Sequence, residues 1–315
     1  MYRRWKQVTE ENITINQAFQ EFIKEKEALG LSEASLRGYE QSITFFIDDM
    51  VLKDIPFSNV DDTYIYQWIN ELKERGCKTS SINHYLASLR AFLKWSFKHN
   101  YLSEFEIKLV KGQEPQPKFF TDDELQILIK KPDKNDSFVT WRTYVIICFI
   151  LATGARASTI INVKISDIDF TRKEIAYTHL KNKHIAVVPL SYSLESALTE
   201  YLKMWQRQTD KEWLFCDIAE CQLTVSALRQ ALGKYCSDRN IVSKGPHALR
   251  HSFARGWILN NGNAFTLQKM LTHSTLTMTK RYVSLFGDDL KKDFESFSPL
   301  DNIKKSGKMQ LIRRG

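Results

Sequence analysis

The spacing of apolar residues changes once along this chain, at a polar, proline-bearing stretch, EPQPK (114–118). Before it, apolar residues recur only at helical intervals. In residues 13–30, Ile15, Ala18, Phe19, Phe22 and Ile23 form one i, i+3, i+4 stripe, ended by Gly30. Segments 32–50, 59–76 and 80–100 repeat this pattern, each opening near Ser, Asp or Thr, with Gly76 closing the third. Four such helices make a compact bundle over 1–110, with 111–118 as the connection. After it, TDDE (121–124) begins a new helix with a capping signature. Residues 173–180 and 184–190 then alternate in the manner of strands around Lys-Asn-Lys, which predicts a β-hairpin. Further helices are expected at 141–155, 156–163, 192–207, 223–238, 246–260, 264–271 and 274–285. The expectation is a mainly α chain with a small β component, its second domain mixed and spanning 119–295. A basic tail of no clear period, 296–315, follows.

Several classes are excluded early. Apolar content of 43% with 26% charged residues is that of a globular protein. The most apolar run, YVIICFILATGA (144–155), is too short to span a bilayer. MYRRWKQVTEEN has no apolar core behind its basic start, so no signal peptide is expected. Five scattered cysteines without a CxxC pair read as reduced thiols of a cytoplasmic protein. Charge is unevenly spread. Residues 1–117 hold 15 Lys and Arg against 17 Asp and Glu, and the remainder holds 30 against 20. Such a surplus suits a polyanion, most commonly nucleic acid.

Three places in the second half hold polar residues that a core would not choose. In ATGARAST (152–159), a buried-looking helix runs into Gly154 and presents Arg156 at the start of the next helix, where guanidinium and free N–H groups together suit an anion. In GPHALRHSFARGW (245–257), His247, Arg250 and His251 share one face of one turn. Two histidines four apart can bind zinc, but Ala248 stands where the HExxH motif has its glutamate, and a histidine beside an arginine suits phosphate better. In LTHSTLTMTKRY (271–282), His273 ends one helix and Ser274 can cap the next, which carries Thr277, Lys280, Arg281 and Tyr282. Alone, that tyrosine reads as a packing residue.

TGAR, HALRH and the nine-residue step from His273 to Tyr282, in that order and with about 90 residues between the first two, resemble the tyrosine recombinases, the phage integrase family. The resemblance covers nearly the whole chain. It implies a four-helix SAM-like core-binding domain followed by a mixed α/β catalytic domain. By position, Arg156 and Arg250 match the two catalytic arginines, His247 the histidine of the HxxR box, His273 that of the third box, and Tyr282 the nucleophile. The hairpin turn LKNKH supplies the catalytic lysine, Lys181 or, if the turn is shorter, Lys183. The family usually has glycine where Thr272 stands and often has an acidic residue at the position of Thr159.

The reaction implied is strand cleavage through a 3′-phosphotyrosine, which stores the phosphodiester so that rejoining needs no ATP. A neutral phenol, with a pKa of about 10, is a poor nucleophile and needs a base, for which His247 is the expectation. Arg156, Arg250 and His273 would stabilise the phosphorane charge, and the lysine would protonate the departing 5′-oxygen. No metal and no cofactor are expected. The implied partners are double-stranded recombination sites held by a homotetramer, with an accessory or partner recombinase as a further candidate. The two domains would clamp the duplex, with Asn83, His84, Arg90 and Lys94 of the 80–100 helix facing the major groove. The tail is a candidate for exchange between protomers. With no arm-binding domain evident, a Xer-like, transposon or phage recombinase is expected, acting at the nucleoid. A type IB topoisomerase and an idle DNA-binding regulator are the rival readings.

Overall fold

The computed structural model describes residues 13–112, 116–179, 185–204, 212–272, 279–280 and 282. The chain divides into two compact units, Met1–Pro115 and Gln116–Gly315.

The first unit is built from α1 (Ile15–Ala28), α2 (Glu33–Asp49), α3 (Asp62–Glu74) and α4 (Thr79–Lys98). Side-chain caps set most of their starts: Thr14 and Gln17 form a reciprocal capping box on α1, and Ser32 and Asp61 cap α2 and α3. The α4 helix begins at Lys78 with no side-chain cap, and its hold comes from packing. It runs against α1, α2 and α3. Between them lies an aromatic core of Phe19, Phe22, Phe46, Phe57, Trp68, Phe92 and Trp95. The polar edges of its indoles are satisfied at the rim, where Trp68 donates to Asp49 (2.8 Å) and Trp95 to Glu25 (2.7 Å). Those bonds set ring orientation as well as removing the cost of a buried N–H.

In the second unit, α6 (Phe138–Thr153) follows a short α5 (Asp122–Leu128), whose Thr121–Glu124 capping box forms as the TDDE sequence predicts. The α6 helix is apolar around most of its circumference, a pattern that needs partners on several sides. It finds them in α8 (Tyr192–Met204), α9 (Val225–Ser237) and α10 (Pro246–Leu259). Between α6 and α8 lie the four-residue α7 (Ala157–Ile160) and a three-stranded antiparallel sheet, β1 (Ile168–Asp169), β2 (Glu174–Tyr177) and β3 (Ala186–Pro189), paired in that order. Ile175 pairs with Val188, and both turn inward with Tyr177. The hairpin strands are shorter than the alternation suggests. The third strand, β1, is new; two residues leave too little alternation for the sequence to reveal it. Finally, α11 (Ala264–Met270) packs on α10. Among the described residues, no helix is long and apolar enough to cross a membrane.

Gly154 closes α6 in the left-handed conformation (φ +67°), which a side chain adopts only at a cost. A methyl there would also meet Phe253 at 2.5 Å and Leu271 at 2.6 Å. Gly154→Ala is therefore expected to lower stability by on the order of 2–4 kcal/mol, combining backbone strain with overpacking. A thermal or urea unfolding midpoint equal to that of the parent protein would show this turn to be dispensable.

Candidate active site

Three chain segments meet around the C-terminal end of α6, and the α10 helix is the piece that gathers them. The segment leading into α5 anchors it: the Phe120 N–H donates to Ser252 Oγ (2.9 Å), and Arg255 pairs with Asp122 (3.0 Å). Lys244, just before α10, pairs with Glu124 and holds that carboxyl below its usual pKa.

Arg250 lies on the buried side of α10, 5% exposed. Its guanidinium donates to the Gly154 carbonyl (2.7 Å) and the Leu271 carbonyl (2.8 Å), so it joins the end of α6 to the end of α11. Burial, and then the nearby charge of Arg156, bring its pKa down to about 10; Tyr282 and Tyr177 act the other way. Arg156 stands at the start of α7 and donates to Thr272 Oγ1 (2.8 Å), with longer approaches to the Leu271 carbonyl (3.3 Å) and the Thr272 carbonyl (3.4 Å). Two guanidiniums from segments almost a hundred residues apart thus reach the same carbonyl oxygen. Burial also depresses the Arg156 pKa, and Tyr282 is what favours its charged form. With four residues, α7 has little dipole to offer, so the anion affinity expected at its start rests on the guanidiniums themselves.

Thr272 explains its own departure from the family pattern. Its φ is +49°, a left-handed conformation natural to glycine and uncommon for a β-branched residue. The strain, of order 1–3 kcal/mol, is offset by the charge-assisted bond from Arg156, of similar size. Thr272→Val, which keeps the branched backbone and loses the acceptor, should therefore be less stable than Thr272→Gly. Equal melting temperatures for the two would mean that the left-handed backbone at this position carries no strain. Thr159, the other departure, is buried within α7.

Tyr282 is helical, as are Thr279 and Lys280. It is 6% exposed and packs with Ala254, Leu267 and Leu271 against α10 and α11. Its hydroxyl lies 2.7 Å from Nδ1 of His251, with the two ring centroids 5.6 Å apart. His247, one turn earlier, is exposed on its outer edge. The buried side of its ring, and then Arg250, Arg229 and Arg156, hold its pKa below the ordinary histidine value, which favours the neutral ring.

Of the residues the sequence singles out, Arg156, Arg250 and Tyr282 are brought together, with His247 beside the arginines. Lys181, Lys183 and His273 lie outside the described residues, as does the 296–315 tail. In the first unit, His84 and Lys94 are exposed and Arg90 is partly so. The Asn83 amide, also expected to face DNA, donates to and accepts from the backbone of Val110 (3.0 and 2.8 Å), which ties the chain after α4 back onto that helix. Two residues that the site uses, His251 and Thr272, have no role assigned by sequence. The only signal for His251 was its place on the same face as His247.

The phage integrase family matches residues 118–287, more than half of the chain, and the phage integrase N-terminal SAM-like domain matches residues 17–100. The chain belongs to the phage integrase family. It is 27% identical over 263 residues to the tyrosine recombinase XerC of Listeria welshimeri, covering 81% of this chain and 87% of that protein. It is 24% identical to the tyrosine recombinase XerD of Staphylococcus epidermidis, covering 86% and 94%. The fold matches the Tn1549 transposon integrase in complex with a circular intermediate DNA (TM-score 0.75, 20% identity, 86% of this chain and 95% of that one). It also matches a lambda integrase dimer bound to a COC′ core site (TM-score 0.71, 16% identity, 86% and 95%).

Proposed function

We propose that the protein is a site-specific DNA recombinase that cleaves and rejoins duplex DNA through a covalent bond between Tyr282 and a 3′-phosphate. The observation that carries this is the convergence of Arg156 and Arg250 on one carbonyl beside a buried phenol. Two guanidiniums this close repel one another, and each lowers the stability of the other's charge. A phosphate between them would turn that repulsion into binding. A phosphorane, which carries more charge on its non-bridging oxygens, would gain more than the ground state does, and that difference is what accelerates a reaction.

The remaining roles follow from chemistry and from membership of the family. Tyr282 supplies the nucleophile, and Arg156 and Arg250 clamp the non-bridging oxygens. His247, neutral and beside both arginines, donates a hydrogen bond to the same phosphate. His273 adds another, and Lys181, with Lys183 as the alternative, protonates the leaving 5′-oxygen. Neither a metal nor a cofactor has a step to perform in this scheme. The substrate is a pair of double-stranded recombination sites, and the working form is a homotetramer in the bacterial cytoplasm, associated with the nucleoid. His84, Arg90 and Lys94 of the first unit are the proposed groove contacts. The tyrosine recombinases XerC and XerD among its relatives support this reading, and an accessory or partner recombinase is part of the same proposal.

The test is to place inverted repeats from the neighbourhood of the gene on two plasmids. Recombinant junctions, together with a protein–DNA adduct whose modified peptide contains Tyr282, are expected. Relaxation of supercoiled plasmid lacking such sites, with no junctions from any repeat, would move the protein to the topoisomerase reading.

A further inference from the structure

We infer that His251, rather than His247, takes the proton of Tyr282 as the covalent bond to DNA forms. This rests on Tyr282 being the nucleophile. The geometry separates the two histidines. His251 Nδ1 is 2.7 Å from the Tyr282 hydroxyl, a hydrogen-bonding distance. In the Nε2–H tautomer, Nδ1 carries the free lone pair and the phenol donates to it. His247 sits one turn earlier on α10, exposed at its edge. It lies under the influence of Arg250, Arg229 and Arg156, each of which opposes a positive charge on its ring. Those neighbours suit a neutral group held against phosphate and oppose one that must accept a proton.

The same helix also arranges the electrostatics. Arg250 directly precedes His251, and the charges of Arg250 and Arg156 both interact with that of Tyr282. Coulomb attraction is mutual, so these two guanidiniums stabilise the phenolate as His251 removes its proton. Tyr282 and His251 are also held by packing: the tyrosine lies against Ala254, one turn further along α10, and against Leu267 and Leu271 of the adjoining α11 segment.

In the cleavage step, the Tyr282 O–H bond breaks and its proton passes to His251 Nδ1. The phenolic oxygen bonds to phosphorus, and the bond from phosphorus to the 5′-oxygen breaks. That oxygen leaves with a proton from the lysine. Rejoining runs each transfer backwards, with His251 returning the proton to the tyrosine, so the base is regenerated and no net proton is consumed.

The experiment uses the full-length protein on a nicked suicide duplex, measuring single-turnover formation of the covalent adduct. His251→Ala and His251→Gln are each expected to slow it by about 10²- to 10⁴-fold, with duplex binding unchanged. Glutamine can accept the phenol's hydrogen bond and hold its position, yet it cannot take the proton. A positioning role would therefore be restored in His251→Gln, and a base would not. Added imidazole should raise the rate of His251→Ala and leave His251→Gln unchanged.

A duplex with sulfur in place of the bridging 5′-oxygen provides the second arm. Its thiolate leaves without a proton, so an acid becomes dispensable while the base stays necessary. The His251 defect should persist on this substrate, whereas the defect of Lys181→Ala should largely vanish. Wild-type cleavage by His251→Gln, or recovery of His251→Gln on the sulfur substrate, would overturn the assignment. An adduct formed by Tyr282→Phe would remove the nucleophile and this proposal with it. No adduct from Tyr282→Phe together with full activity in His251→Gln would remove the base alone.

Discussion

Tyr282→Phe is expected to abolish the covalent protein–DNA adduct, with no residual product on the time scale on which the parent protein converts all of its substrate, and to leave duplex affinity within a factor of about two. The reason is stoichiometric. In the proposed reaction the phenolic oxygen is the atom that bonds to phosphorus, and removing a bond-forming atom leaves nothing for the arginines to assist. The change costs little elsewhere, because the ring remains to fill its place among Ala254, Leu267 and Leu271, while the hydrogen bond to His251 is lost. A destabilisation of about 1 kcal/mol is expected from that loss. Denaturing gels after incubation with a suicide duplex read the first effect, and thermal unfolding reads the second. Adduct from the phenylalanine variant, at any yield above background, would mean that another residue attacks DNA.

Arg250→Ala is expected to lower the cleavage rate by at least about 10³-fold, and it should differ from Arg156→Ala in a second respect. Removing either guanidinium takes away charge stabilisation of the phosphorane, worth about 3–4 kcal/mol for a well-placed donor. Arg250 also joins two buried carbonyls, those of Gly154 and Leu271. Its loss takes that donor from both, at about 1–3 kcal/mol for the Gly154 carbonyl and less for that of Leu271, which Arg156 also reaches. Arg250→Ala should therefore melt well below the parent protein, whereas Arg156→Ala, whose partners include the partly exposed Thr272, should lose rate with a much smaller fall. Arg250→Lys is no remedy, since a single ammonium cannot span the two carbonyls that the fork reaches. Equal melting temperatures for Arg156→Ala and Arg250→Ala would show that Arg250 carries no structural load.

Much of this was legible beforehand because it depends on local patterns. The four helices of the first unit announced themselves through apolar stripes and through capping residues such as Ser32 and Asp61. Arg156, His247, Arg250 and Tyr282 were legible because each sits in a short motif of fixed spacing. The misses share a physical cause. The β1 strand is two residues long, too short for a period. The bonds between Asn83 and Val110 were not legible because the two residues lie 27 positions apart along the chain. The contact of His251 with Tyr282 was not legible either, because spacing says which residues share a face and nothing about what that face meets.

The sequence by itself determined the two-unit layout, the family and the four residues of the set that the structure gathers, since periodicity, caps and motif spacing are properties of neighbours in the chain. Tertiary structure alone decided what each of those residues touches. It put the hydroxyl of Tyr282 on His251, held Thr272 in a glycine-like backbone bonded to Arg156, and gave Arg250 two carbonyls to join. These are contacts between segments 21 to 116 positions apart. Only the packing of α6, α10 and α11 brings such segments within hydrogen-bonding distance, and hydrogen bonds act at that distance whatever the separation along the chain.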